Sequence, residues 1–513
     1  MGLSSEHHLN KLLTLGSDTG ILRELRASGK TVALCHGVFD LIHPGHIQHF
    51  SASKKLADVL IVSITADEFV NKGPGRPLFD QETRIASLSA LVDVDYVAIS
   101  YSPTAIQAIE HIKPDLYIKG SDYSNEDDDV TGMISLERQS VEKYGGKIHF
   151  TNEITSSSSS LINKFYSSFS TSAQEWVKEF KANNGYEETI AWLDKIQNLK
   201  ISIIGETIID QYTYCEPLAK SSKDPILAFQ LGRSNMYPGG VLAIANNCQG
   251  WASEVSVLSF VGIDVNEYSD VISMIDKDIR LKMIQADDRP SILKHRFVDK
   301  NSETRVFEFY NFENNDLPFK AATEIELLIN KACTNSDVLI VADYGHGLFT
   351  PQIINNITKQ QVFLAVNTQS NAGNRGYNTV SKYKKADFVC LNSGEIQLEM
   401  RNRNPDYFEI IPQIMERIDA KYAAVTLGGE GLVVFDCLGN SAKVPALATK
   451  VVDKVGAGDA VLAISSMLAS VSAPVKVIGF LANVIAAHEV SQLGHQTSLS
   501  FSDLKKHSKA ILG

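Results

Sequence analysis

Short apolar runs recur through the first third of the chain, with segments of helical spacing between them. Thr31–Cys35, Val59–Ile64, Tyr96–Ile99 and Leu116–Lys119 read as buried strands. Helix candidates begin near Gly45 and cover Gln81–Leu91 and Pro103–His111, and a polar helical stretch over Leu9–Ser28 precedes them all. Strands that alternate with helices predict a parallel sheet with crossover connections. The alternation closes near Ser156–Phe165.

Ser156 to Ser160 form an unbroken serine run, and Ser167, Ser168, Ser170 and Ser172 follow. The first serines precede Leu161 and Ile162 as a helix start would, and the later ones mark a linker. Ala173–Asn198 predicts a helical connector to a second sheet, which opens with Lys200–Gly205 and continues with Asp337–Val341 and Ala423–Leu427. The apolar stretch from Ala460 to Val490 is broken by Ser465, Ser466, Pro474, Lys476 and Asn483. It therefore predicts buried helices rather than a membrane span. No short repeat relates the halves, so two different α/β domains are expected.

Composition narrows the partners. A length of 513 residues exceeds one ordinary core. The net charge of -12 disfavours broad nucleic-acid or anionic-membrane surfaces, since like charges repel at long range. Small phosphorylated ligands remain open, because amide-rich pockets hold them locally. Cys35, Cys215, Cys248, Cys333, Cys390 and Cys437 are scattered without Cys-x-x-Cys spacing. A disulfide framework or zinc site is not expected, and a reducing, cytoplasmic setting fits. The opening residues carry Glu6, His7 and His8 and lack the apolar core of a secretion signal.

The first chemical constellation is His36-Gly37-Val38-Phe39-Asp40-Leu41-Ile42-His43-Pro44-Gly45-His46, placed between a strand and a helix. Gly37 permits a tight turn. His43 and His46 flank Pro44-Gly45, so both imidazoles reach the helix N-terminus, where free amides and the dipole favour an anion. Their N–H groups suit the charge that builds when the α-phosphate of a nucleotide is attacked. The competing explanation is a metal site or a pair of core histidines.

This segment resembles the cytidylyltransferase-like superfamily, most closely the transferase half of bacterial bifunctional heptose-phosphate kinase/adenylyltransferases. The similarity runs from about Thr31 to Lys164, through Lys55-Leu56-Ala57-Asp58, Arg76-Pro77, Gln81 with Arg84, and Lys119-Gly120-Ser121-Asp122-Tyr123. It implies a Rossmann-like nucleotidyltransferase over residues 29–166, after a helical extension over 1–28. It also implies nucleotide contacts from Gly37, Phe39, Asp40, Lys119 and Asp122. Lys55 and Lys72 are the candidates for neutralising a triphosphate, or else solvated surface lysines. Ser157, Ser158 and Ser159 stand where the family grips the outer phosphates, or form a plain N-cap. ATP and CTP both remain open as the nucleotide.

The second constellation is Val455-Gly456-Ala457-Gly458-Asp459-Ala460, followed by an apolar helix. Glycines let backbone amides approach an anion, and Asp459 is placed to accept a hydroxyl proton during phosphoryl transfer. Alone, the pattern is also that of an ordinary helix start.

From Lys200 to Gly513 the chain resembles the ribokinase/PfkB family. The matching residues are Ile204-Gly205-Glu206 with Asp210, Pro238-Gly239-Gly240, Ala342-Asp343-Tyr344-Gly345-His346-Gly347, Asn392-Ser393-Gly394-Glu395, Thr426-Leu427-Gly428-Gly429-Glu430-Gly431, and Asp453 ahead of Asp459. The resemblance implies a ribokinase-like α/β domain over 199–513, reached through a connector over 167–198. Asp459 is then the catalytic base. Asn392, Glu395, Thr426, Gly428, Gly431, Gly456, Ala457 and Gly458 hold the nucleotide, with Glu395 acting on Mg2+ indirectly. Asp210, Gly239 and Gly240 bind the sugar. Lys294 and Arg296 would hold a substrate phosphate, or else decorate an edge strand.

Three features depart from the heptose enzymes. Ala243 stands where they place an Asn. Val366-Asn367-Thr368-Gln369 replaces Asp-Pro-Lys-Gly. The domain order is reversed. Together the two resemblances imply ATP-dependent formation of a sugar 1-phosphate, then nucleotidyl transfer giving a nucleotide sugar. A lid built from Pro225–Leu231 and Ile292–Val298 would pair two copies.

Overall fold

The structure is a computed structural model. It describes residues 11–16, 20–73, 75–120, 133–151, 169–302, 304–492 and 499–512. These fall into two compact units, residues 1–168 with 502–513 and residues 169–501.

The first unit holds a six-stranded sheet in the order β1 (Leu12–Leu13), β4 (Tyr96–Ser100), β3 (Val59–Thr65), β2 (Val32–Gly37), β5 (Leu116–Gly120) and β6 (Lys147–Thr151). Every pairing is parallel. Helices Pro44–Lys54, Gln81–Ser89, Ile106–Ile112 and Ile134–Lys143 make the crossovers. The central strand Val59–Thr65 is buried along its whole length and apolar except for Ser63 and Thr65, as burial on both faces favours.

The expected opening helix is shorter and starts later, at Gly20–Ala27. Among the described residues before it, Leu12–Leu13 form a strand instead. The Val97 amide donates to Lys11 O at 2.8 Å, and Lys11 Nζ donates to Leu91 O and Val94 O at 3.1 and 2.7 Å. A sheet edge offers this stretch partners that local helical spacing does not reveal.

In the second unit a nine-stranded sheet runs β11 (Arg280–Gln285), β10 (Glu254–Val261), β7 (Lys200–Gly205), β14 (Val338–Asp343), β15 (Phe363–Thr368), β16 (Phe388–Asn392), β17 (Tyr422–Thr426), β18 (Leu432–Asp436) and β19 (Ser441–Val444). Only the pairings β17–β18 and β18–β19 are antiparallel. A four-stranded sheet, β13 (Arg305–Asn311), β12 (Ile292–Asp299), β8 (Thr207–Lys220) and β9 (Leu227–Gly240), forms the lid. The apolar stretch near the end is the helix pair Ala457–Ser470 and Val475–Glu489. No described helix is long and apolar enough to cross a membrane.

The connector is two helices rather than one, Thr171–Asn183 and Gly185–Ile196, broken where Gly185 takes a φ of 61°. Trp176 and Phe180 stack with each other at 4.9 Å, and Phe180 stacks on Phe480 at 5.0 Å, so the connector belongs to the second unit. The last helix, Phe501–Leu512, clusters from Ser502 onward with the first unit, although the sequence places it in the kinase half.

Arg84 organises the loops above the first sheet. It is fully buried and donates to Val38 O at 2.7 Å, Thr65 O at 2.9 Å and Phe79 O at 3.1 Å, with an ion pair to Asp67 at 2.5 Å. Arg84→Ala would leave buried carbonyls without donors, at a cost of about 3 kcal/mol. Urea unfolding should show the first unit melting at clearly lower denaturant; an unchanged midpoint would contradict this role.

Candidate active sites

In the first unit, β2 ends at Gly37 and the chain turns through Phe39, whose φ is 49°. The Phe39 ring packs edge-on to His46 at 5.2 Å and Phe50 at 5.1 Å. A Cβ on Gly37 would meet that ring at 3.1 Å, so the glycine makes room for it. The helix then begins with Pro44 in its first turn, where the missing N–H is not needed.

His43 and His46 stack at 3.8 Å between ring centroids. Neither ring nitrogen of the buried His43 has a hydrogen-bond partner among the described residues. Burial, followed by the neighbouring His43 and Lys72, pushes His46 down to about 3. Burial also lowers His43. Both imidazoles are therefore neutral near pH 7; His43 has an N–H to offer, while His46 is also hydrogen-bonded to the Leu41 backbone. The buried, unpartnered His43 ring at an open helix start fits a phosphate ligand, because an unpaired buried polar group is otherwise costly. His36, in contrast, is a satisfied core residue, hydrogen-bonded to Ser63 Oγ at 2.7 Å.

The other expected contacts divide. Lys72 is exposed and acts electrostatically on His46, so it can meet a triphosphate there. Lys55 caps the opposite end of the helix Pro44–Lys54, about 16 Å away at 1.5 Å per residue, and is not brought to the site. Asp40 is occupied by the protein. It accepts from the Leu78 and Phe79 amides at 2.8 and 3.0 Å and pairs with Arg76 at 3.0 Å. Lys119 pairs with buried Glu137 at 2.7 Å. Asp122, Ser157, Ser158 and Ser159 lie outside the described residues.

In the second unit, Gly456 takes a φ of 85° and starts the helix Ala457–Ser470. The amides of that first turn, from Ala457 and Gly458 onward, have no carbonyl four residues back. Nothing stands within 4 Å of a Cβ built on Gly458, so the approach is open. Asp459, in the same turn, accepts from Tyr344 Oη at 2.8 Å. Burial and Asp459 raise Tyr344 well above its ordinary value, so the phenol stays protonated and orients the carboxylate.

The residues expected on the sugar side gather on the lid sheet. Arg296 pairs with Asp210, and both are buried, as is Lys294. These cations stand on β12, which lies between β13 and β8, so they are interior groups and not edge decoration. Burial lowers Lys294 while Asp210, Asp459 and Glu206 oppose it, so one ammonium faces both the sugar side and the base. A Cβ on Gly239 would fall 2.1 Å from Asp210 Oδ2, so only glycine leaves that carboxylate its place. Gly240 has a φ of 59°, and a Cβ there would meet Glu206 O at 2.6 Å.

Asn392 and Glu395 form a capping box. Glu395 accepts from the Asn392 and Ser370 amides at 2.8 and 3.2 Å, and burial pushes it up to about 7. Among the described residues no group of three metal-capable side chains is gathered together. On the nucleotide side, β17 ends at Thr426, with Gly428 and Gly431 just beyond it, both at positive φ.

Several working groups carried no assigned role in the sequence. Glu206 accepts from the Tyr344 and His346 amides at 3.0 and 3.1 Å and fixes that loop. Asn371 and Asn374 donate to Tyr344 O at 2.8 and 2.7 Å from the other side. Asp453 accepts from Arg305 on the lid and from the Val455 amide at 2.9 Å. Glu206 and Tyr344 stand inside the motifs quoted above; Arg305 and the asparagines have no sequence signal. Ala243 is buried and offers no polar side-chain atom, and Asn246 Oδ1 accepts from the Asp276 amide at 3.4 Å.

A parallel sheet with a phosphate-ready helix start, joined to a ribokinase-like sheet with a lid, defines a chain that pairs nucleotidyltransferase and sugar-kinase folds. The pfkB family carbohydrate kinase model matches residues 198–501, more than half the chain, and the chain belongs to that family. Residues 34–165 match the cytidylyltransferase-like model, so the transferase-type unit precedes the kinase-type unit. The bifunctional protein HldE of Syntrophotalea carbinolica is 33% identical over 144 residues, 28% of each protein. That of Geobacter metallireducens is 33% identical over 167 residues, 32% of this chain and 33% of the relative. The chain thus spans a third or less of these curated relatives. Phosphofructokinase-2 from Escherichia coli, solved with potassium, has the second unit's fold. It gives a TM-score of 0.51 at 14% identity, over 61% of this chain and 99% of its own.

Gly239→Ala should displace Asp210 and raise the kinase KM for sugar roughly tenfold or more, since a lost charged hydrogen bond costs about 1.5–3 kcal/mol. Steady-state kinetics with varied sugar test this, and an unchanged KM would remove Asp210 from the sugar site. Acid stability tests His46. Its unfolded form titrates near 6.5 and its folded form near 3. As pH falls through that window the unfolded state binds the extra proton, so stability drops. Denaturant unfolding at pH 7 and 5 should show a shallower loss for His46→Gln than for the native chain. An equal loss would contradict the buried, neutral imidazole.

Proposed function

We propose that the chain is a bifunctional sugar-activating enzyme. Its second unit phosphorylates a phosphosugar at the anomeric hydroxyl. Its first unit joins the resulting sugar 1-phosphate to a nucleotide. The observation that carries this reading is the presence in one chain of two separate anion-ready helix starts. One is flanked by the neutral pair His43 and His46, and the other by Asp459 with Tyr344.

In the kinase step the sugar oxygen attacks the γ-phosphorus of ATP, the bond from that phosphorus to the β-bridging oxygen breaks, and ADP leaves. Asp459 accepts the hydroxyl proton as the new bond forms. Asp210 and Arg296 hold the sugar, and Lys294 offsets charge between sugar and base. Mg2+ bound with ATP supplies positive charge against the phosphate oxygens, and Glu395 would hold it through water. The first-turn amides of the helix Ala457–Ser470 stabilise the transferred group.

In the transferase step a phosphate oxygen of the sugar 1-phosphate attacks the α-phosphorus of a nucleoside triphosphate. Pyrophosphate departs as the bond to the β-phosphate oxygen breaks. Neutral His43 donates an N–H to the oxygens on which charge accumulates, His46 stacks on it and holds it in place, and Lys72 meets the outer phosphates. ATP is the favoured nucleotide, in line with the resemblance to heptose-phosphate adenylyltransferases, and a heptose phosphate is the first sugar to try. Ala243 favours a second candidate, a different phosphosugar, since it offers no partner to a sugar hydroxyl.

We further propose a cytoplasmic homodimer closed through the lid. Exposed Leu227, Leu231, Phe307 and Phe309 on the lid strands would be covered by a second copy.

The two activities should separate. Asp459→Asn should lower ADP formation roughly 10²–10⁴-fold, the scale of general-base catalysis, with pyrophosphate release from supplied sugar 1-phosphate intact. His43→Ala should lower pyrophosphate release by roughly 10²-fold, the effect of one lost transition-state donor, with the kinase intact. Coupled assays for ADP and pyrophosphate on each variant read both outcomes. Equal loss of both activities in either variant would point to one shared site.

A further inference from the structure

The segment that carries Lys72 is held at both ends. On one side Arg76 is tied to buried Asp40 at 3.0 Å, and Asp40 belongs to the turn that leads into the histidine helix. On the other side Asn71 Oδ1 accepts a hydrogen bond from His507 Nε2. A Cβ built on Gly73 would lie 3.7 Å from Ala510 Cβ and 3.8 Å from the His507 α-carbon. The helix Phe501–Leu512 therefore rests directly against residues 71 and 73, the two neighbours of Lys72. Its buried positions are Leu504, His507, Ser508, Ile511 and Leu512, a single helical stripe.

This helix follows the kinase-family match, which ends at residue 501, yet it clusters with the unit of residues 1–168. The first unit is therefore discontinuous in sequence. Lys72, the lysine proposed to meet the triphosphate, is flanked by residues held from more than 400 positions away along the chain (a separation of 436 between Asn71 and His507).

We infer that His507 is a positioning residue of the transferase site, which the helix Phe501–Leu512 completes by fixing the Asn71–Gly73 backbone so that Lys72 meets the triphosphate. The inference rests on the transferase reading proposed above. A lysine carries a long flexible side chain, and fixing its backbone restricts where the ammonium can go before ligand arrives. The Asn71 contact requires a proton on His507 Nε2, a donor that a glutamine amide reproduces and leucine does not. Residues 1–168 on their own lack this donor.

The test uses the full chain and a pyrophosphate-release assay with supplied sugar 1-phosphate and varied nucleoside triphosphate. His507→Leu should raise the KM for the triphosphate roughly tenfold, the effect of about 1.4 kcal/mol, with a smaller change in kcat and kinase turnover preserved. His507→Gln should restore the native KM, which also separates positioning from a folding defect. Combined with Lys72→Met, His507→Leu should add nothing beyond Lys72→Met alone. A native KM in His507→Leu, no rescue by His507→Gln, or additive effects in the double variant would each overturn the inference. His46→Ala, run alongside, distinguishes the two levels. If it leaves pyrophosphate release intact, the transferase reading itself fails; if it abolishes release while the His507 variants are silent, only the positioning role fails.

Discussion

An amide in the first turn of a helix has no carbonyl four residues behind it, and burying such a group without a partner is costly. A phosphate removes that cost, and the dipole adds to the attraction. Both sites of this chain are arranged around that property. In the first unit the strand Val32–Gly37 delivers the chain to Pro44, and in the second Gly456 reverses its backbone to open the helix at Ala457. A parallel sheet gathers the carboxyl ends of its strands on one side, so the loops that carry His43, Tyr344 and Asn392 open where the helices begin.

The side chains around the two helix starts differ because the chemistry differs. Nucleotidyl transfer needs donors to oxygens that gain charge, with no net proton to remove from a phosphate that is already ionised. Stacked neutral imidazoles suit that demand, and burial keeps them neutral. Phosphorylating a hydroxyl requires a place for its proton, and Asp459 is the carboxylate proposed to take it. The buried cations Lys294 and Arg296 keep that carboxylate and Asp210 from repelling each other and the phosphates unchecked. The electrostatic work in the kinase is thus shared between fixed side chains and the amides of the helix start.

Local sequence made the sheet strands and both helix starts legible, because a doubly buried strand is a run of apolar residues and a glycine turn before an apolar helix is a short-range pattern. Lys294 and Arg296 were legible as residues but ambiguous in setting, since the neighbours that bury them come from Thr207–Lys220 and Arg305–Asn311. The extended pairing of Leu12–Leu13, the break at Gly185, the distance of Lys55 from the histidines and the use of Asp40 to anchor residues 76–79 all depend on partners remote in sequence. So does His507, whose contact with Asn71 joins opposite ends of the chain. Spacing rules do not see such contacts, because they are decided by tertiary packing.

The central claim is that phosphorylation and nucleotidyl transfer occur in sequence on one substrate. A quenched-flow time course follows ADP and pyrophosphate together, with ATP, Mg2+ and each member of a phosphosugar panel that includes heptose 7-phosphate. For the true substrate, ADP should rise first, and pyrophosphate should follow after a lag that vanishes when the sugar 1-phosphate is supplied. Pyrophosphate appearing without a lag from the unphosphorylated anomer, or no sugar yielding both products, would contradict the account.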